Sequence, residues 1–156
     1  MPPKSGRAGI TRALLDLIET LPLPVVLRIH GENHEFELAL VAACDIVIAS
    51  LESSFVATLS KTGEDAKAWA DLVMHVFGKR PFARYVLTGE PFTAAEAYRI
   101  GVIHEIAPIS EMDAKINEIL GHLVLREPKL LSVVLRMSRE SLFTDQKLPA
   151  QKKLTR

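Results

Sequence analysis

Apolar residues fall at helical spacing in five stretches and cluster into short β-branched runs between them. Ile10, Leu14, Leu17, Ile18 and Leu21 make one helix face. Pro22 and Pro24 end that helix, because proline cannot continue it and pushes its predecessor toward extended backbone. Val25–Ile29 then reads as a strand in a covered sheet, Glu35–Ala43 as a helix, and Asp45–Ser50 as a second buried strand. Ser54–Thr58 is a candidate third strand. Ala66, Trp69, Ala70, Val73, Val76 and Phe77 trace an amphipathic stripe that Gly78 stops. Thr93 with Glu96 predicts a capping box, and Gly101 suits the left-handed position after that helix. Val102–Ile106 reads as a short strand. Met112, Ile116, Leu120, Leu123 and Val124 predict a further helix. Pro128 opens the last, running through Leu131, Val134, Leu135 and Leu142. Strands joined by helices, then a helical C-terminal part, indicate the α/β class.

The length, 156 residues, suits one domain with a substantial core. Nineteen basic residues balance nineteen acidic ones, so no overall charge steers the chain to nucleic acid or an anionic membrane. The basic ends, MPPKSGR and QKKLTR, read as solvated tails. The longest apolar run, Leu38–Leu51, is broken by Asp45 and is too short to span a bilayer. Cys44 is the single cysteine, which excludes an intrachain disulfide and favours a reducing compartment, taken as cytoplasmic.

The segment Leu87–Pro108, LTGEPFTAAEAYRIGVIHEIAP, carries the strongest signal. It resembles the downstream half of the enoyl-CoA hydratase/isomerase (crotonase) family. Leu21–Gly31, LPLPVVLRIHG, is similar to the family's helix end, strand and "N-G" turn, with His30 at the asparagine position. Leu38–Ser50, LALVAACDIVIAS, resembles its buried helix and following strand, and Gly78–Lys79 with Thr88–Gly89–Glu90 its helical pair. The resemblance runs from about Leu14 to Leu142 and implies a partial crotonase-like (ClpP/crotonase) α/β fold of short parallel strands with helices and a helical C-terminal part. The units expected are a disordered basic N-terminus at 1–9, a core at 10–108, a helical oligomerisation region at 109–145 and a basic tail at 146–156. The expectation is an N-terminally truncated form, since full-length members have a further block of strands and helices ahead of this region.

The resemblance also implies acyl-CoA as substrate or ligand, no separate cofactor, and assembly as trimers or dimers of trimers. In that family two backbone N–H groups stabilise an enolate-like thioester oxygen. One lies in a glycine-rich turn, where the absence of a side chain allows close approach. Here the turn reads Gly31-Glu32-Asn33-His34-Glu35-Phe36-Glu37. Aligned without gaps, the oxyanion-turn positions fall at His34, Glu35 and Phe36, the glycine triplet at Glu35-Phe36-Glu37, and the first catalytic Glu at Ala39. A gapped alignment places Glu37 on that Glu instead. The second Glu falls at about Leu59, beside Ser60 and Lys61. Arg136 and Arg139 stand where family members place basic groups near CoA phosphates. His30, His34 and Glu37 match no zinc spacing, so no metal is expected. Three readings stand: an acyl-CoA lyase or isomerase with altered catalytic groups, a non-catalytic paralogue or fragment serving assembly, or a plain α/β interaction domain.

Overall fold

The computed structural model describes residues 5–60 and 62–140. Helix α1 (Ser5–Thr20) leads into strand β1 (Val26–Ile29), a two-residue strand β2 (Glu32–Asn33), helix α2 (Glu35–Ala43), strand β3 (Ile46–Ser50) and strand β4 (Ser54–Phe55). Helices α3 (Gly63–Phe77) and α4 (Lys79–Thr88) follow, then β5 (Phe92–Thr93), α5 (Ala94–Arg99), β6 (Glu105–Ala107), α6 (Met112–Val124) and α7 (Pro128–Glu140). The α/β class expected from the strand–helix alternation is what the chain forms.

Two three-stranded sheets organise these elements, in the orders β1-β3-β6 and β2-β4-β5. The first is parallel throughout, with Val26 opposite Ile46 and Ile48 opposite Glu105. In the second, β2 and β4 run parallel while β4 and β5 are antiparallel. Parallel strands need crossover helices, which cover both faces of the sheet. Strand β3 is accordingly apolar on both sides. Val47 and Ala49 face the main core with Leu38, Val41, Trp69 and Val73, while Ile48 joins Ala107 and Met112 under α6.

Phe92 ties the second sheet to the helices. Its ring centroid lies 5.3 Å from Phe55, 5.8 Å from Phe77 and 4.3 Å from Tyr85. The Leu-Thr-Gly-Glu-Pro-Phe stretch thus delivers one aromatic ring to the meeting point of β4, α3 and α4. Aromatic pairs at such separations add to area burial.

Several boundaries differ from those read off the sequence. Helix α1 begins at Ser5, inside the terminus expected to be disordered, and buries Ile18 while leaving Leu17 exposed. The third strand is only Ser54–Phe55. Strand β6 starts at Glu105, because Val102 and Ile103 are spent on the core as the chain leaves α5. Gly101, with φ of 80°, makes that left-handed exit. His104 then supplies a side-chain rung: Val47 N–H donates to its Nδ1 at 3.0 Å, while His104 N–H donates to the Val47 carbonyl at 2.9 Å. Leu142, Lys61 and the tail 146–156 lie outside the described residues.

The predicted capping box at α5 is half made. Thr93 Oγ1 accepts from Glu96 N–H at 3.2 Å, but the Glu96 carboxylate turns away. It accepts from Arg99 at 2.6 and 2.7 Å and from the Tyr85 hydroxyl at 2.7 Å. The bonds from Arg99 first, then Tyr85, hold this carboxyl down at about 2. A carboxyl depressed in the folded state stabilises fully above its ordinary value of 4.5, and that contribution is lost as pH falls from there toward 2. Glu96→Gln should therefore melt below wild type at neutral pH, with the gap closing as pH falls through this window. Melting temperatures across pH check this, and a gap independent of pH would contradict it.

Candidate functional site

The turn between β1 and α2 lies at the carboxyl end of a parallel strand, where ligands of open α/β sheets bind. Gly31 turns the chain with φ of 76°, a conformation costly for other residues. Asn33, 1% exposed, locks the turn by donating Nδ2 to the carbonyls of Gly31 at 2.8 Å and Ser54 at 3.1 Å. The chain then enters α2 with His34 as its N-cap residue. The expected site residues His34, Glu35, Phe36 and Glu37 are thereby brought together on its first turn.

Each has a definite role there. Glu37, the third helical residue, reaches back so that its Oε2 accepts from His34 N–H at 3.0 Å. That is the reciprocal half of a capping box, and it places a carboxylate against the positive end of the helix. The His34 imidazole is exposed, with Nε2 3.7 Å from Glu32 Oε1. Phe36 is exposed. Glu35 turns inward: its Oε2 accepts from both the N–H and the hydroxyl of Ser60, and its carbonyl accepts from the Trp69 indole N–H at 2.8 Å. Ala39, the ungapped counterpart of the first catalytic Glu, is 2% exposed within the core. Leu59, counterpart of the second, is exposed on the segment after β4. Beyond it runs the continuous helix α3.

Arg139 requires a correction. It was expected beside CoA phosphates, but it is 7% exposed and its five N–H groups already have acceptors. Nε and Nη2 donate to Asp45 at 3.0 and 2.6 Å; Nη1 donates to the carbonyls of Glu19 and Leu21 at 3.1 and 2.6 Å, and Nη2 to that of Leu23 at 3.1 Å. No donor is left for a phosphate. Arg136 lies exposed on another face of α7.

Cys44 is partly buried beside this ion pair. Burial first, then the charge of Asp45, pushes its thiol up to about 11, so it stays protonated at neutral pH and is a poor nucleophile. Among the described residues no cluster of three His, Cys, Asp or Glu could hold a metal ion. No described helix is long and apolar enough to cross a membrane.

Residues 7–155 match the sequence profile of the family described as enoyl-CoA hydratase/isomerase. The chain belongs to the enoyl-CoA hydratase/isomerase family. The Rattus norvegicus enoyl-CoA hydratase domain-containing protein 3, mitochondrial, is 30% identical to it over 103 residues, which are 66% of this chain and 34% of that protein. This family member thus spans about a third of the length of the curated relatives it matches. An enoyl-CoA hydratase from Mycobacterium avium superposes with a TM-score of 0.78 at 30% identity, covering 90% of this chain and 56% of that one. A monofunctional enoyl-CoA isomerase from M. smegmatis superposes at 0.79 with 21% identity, over 91% and 66%. These likenesses establish the crotonase-like fold.

The ion pair that sequence reading missed is the family member's most exposed weakness. Truncating one partner of a buried pair leaves the other charge uncompensated, at about 3–5 kcal/mol. Arg139→Ala should lower stability by about that amount, and combining it with Asp45→Asn should recover part of the loss. Urea denaturation midpoints measure both. A loss within the range of an ordinary surface change, about 0.5 kcal/mol, would mean that the pair does not hold α7.

Proposed function

We propose that this chain is an acyl-CoA-class family member that is weak or inactive as a hydratase in this form. The observation that carries the reading is the first turn of α2. Where the family resemblance calls for glycines that let a thioester oxygen reach backbone amides, this turn holds Glu35, Phe36 and Glu37, and Glu37 already occupies the His34 N–H. An oxygen gaining negative charge would meet two carboxylates in place of free donors. The ungapped counterparts of both catalytic Glu residues, Ala39 and Leu59, cannot carry a proton. Glu37 in this reading is a helix cap, and its removal costs stability and not chemistry.

Purified protein assayed with short and medium 2-enoyl-CoA substrates should show hydration far below the usual enzyme range of about 1–10³ s⁻¹. Loss of one aimed oxyanion donor alone costs about 10²–10³ in rate. Turnover within the ordinary range would overturn the proposal.

A second reading, an assembly subunit, draws support from the C-terminal helices. Leu130, Val133, Val134 and Met137 are all exposed on α7, at the i, i+3, i+4, i+7 spacing of a single stripe, and Val124 and Leu125 are exposed just before it. Contiguous exposed apolar surface marks interfaces. The β1-β3-β6 sheet also has β1 at an edge, which invites pairing. Self-association as a trimer or dimer of trimers belongs to this proposal. Residence in a reducing compartment does too, as the lone cysteine suggests; the Rattus norvegicus relative is a mitochondrial protein. Light scattering at micromolar concentration should give a mass above that of one chain. A strictly monomeric, well-folded species would count against the assembly reading.

A further inference from the structure

The segment that follows β4 is tied to α2 through the Glu35 carboxylate. Its last ladder bond is from Val56 N–H to the Asn33 carbonyl at 2.8 Å, and Ala57 is buried. Thr58, Leu59 and Ser60 are then exposed in succession. Ser60 is nevertheless tied down, since its N–H donates to Glu35 Oε2 at 3.1 Å and its hydroxyl donates to the same oxygen. Both bonds fall on one oxygen. The other, Oε1, is buried with no hydrogen-bond partner.

A buried acceptor left without a donor works against the state that buries it. Glu35 itself is fixed from behind, because the buried Trp69 on α3 donates to its carbonyl. The α2–α3 side of the contact is therefore rigid. The side with few buried contacts, and so the one able to open locally, is Thr58–Ser60.

We propose that Glu35 and Ser60 form a latch that holds the chain after β4 closed over the first turn of α2, and that this latch opens when an acyl thioester binds there. The ligand clause rests on the acyl-CoA reading above; the latch does not. Closed, Ser60 is held against Glu35, the first residue of α2, beside the helix start whose N–H groups a thioester oxygen would need. Open, both of its oxygens reach water and the orphan acceptor is satisfied. Phe36 and Leu59, the exposed chain neighbours of Glu35 and Ser60, supply apolar surface for an acyl chain.

The test uses the full chain and Ser60→Ala, an exposed change that leaves the core untouched. Amide hydrogen exchange at Leu59 and Ser60 should quicken about tenfold, as expected when one hydrogen bond to a charged group is lost from a local opening. Ser60→Thr, which keeps the hydroxyl, should exchange like wild type. Butyryl-CoA, measured by calorimetry, should bind Ser60→Ala more tightly, by up to the same factor, because the competent state is then more populated. Unchanged exchange in Ser60→Ala would overturn the latch. Faster exchange with unchanged affinity, in a protein that does bind butyryl-CoA, would overturn the gating. Faster exchange with no binding by either form would instead overturn the acyl-CoA reading and the ligand clause with it.

Discussion

The contact between Arg139 and Asp45, 94 residues apart in the chain, ties helix α7 to the entries of the parallel strands. Asp45 stands at the start of β3 and also accepts from Val25 N–H at 2.7 Å, so one carboxylate aligns the entries of two parallel strands. Arg139 adds the end of α1 and its proline-containing exit through three carbonyls. Those carbonyls belong to a helix terminus and to a loop, groups that otherwise depend on water. A planar fork with five donors can serve them all at once; an ammonium cannot. Buried pairs of this kind contribute little net stability over an apolar replacement, but they allow only one geometry. Helix α7 is consequently oriented by a polar anchor and a narrow buried stripe at Leu135, which is why so much of its apolar surface stays outside.

At the other end of α2 the same helix meets a different constraint. A strand-to-helix turn leaves several N–H groups without intrahelical partners, and something must accept from them. Glycines at the turn leave that task to a ligand. Carboxylates take it over themselves. With Glu37 on the His34 amide and Glu35 bound to Ser60, both carboxylates of the first turn of α2 are engaged within the chain, apart from one Glu35 oxygen. The residue type that weakens the case for hydratase chemistry thus also caps one amide of the turn without ligand.

The elements legible in the sequence are those whose signal is local. The stripe at Trp69, Val73 and Phe77 buries those residues in α3, and Gly101 and Pro128 fall where their backbone preferences require. Strand β6 was misplaced because Val102 and Ile103 have strand-forming side chains but are consumed by packing under α5, a tertiary demand that propensity does not see. Glu96 was assigned to its own helix cap, yet Tyr85 and Arg99 compete for the same carboxylate and win. Within the site, the carboxylates of the turn were visible as residue types, but their partners were not. Ser60 lies 25 residues from Glu35, and no periodicity connects them. Arg139 was read through family position, which indicates where a basic group stands and not what it is bonded to.

These failures share a direction. The resemblance to the family is carried by residues that pack: the Phe92 ring among Phe55, Phe77 and Tyr85, the apolar faces of β3, and the glycine exit from α5. The Trp69 indole joins that core to the first turn of α2 through the Glu35 carbonyl, a main-chain acceptor that any residue there would offer. The side chains of Glu35, Phe36 and Glu37 are outside that core cluster, so they can change while the packing frame is kept. A profile built on the whole chain weighs the many packing positions and registers few turn positions. Family membership here therefore follows from the frame, while activity depends on a handful of amides and carboxylates that the frame holds in place but does not specify.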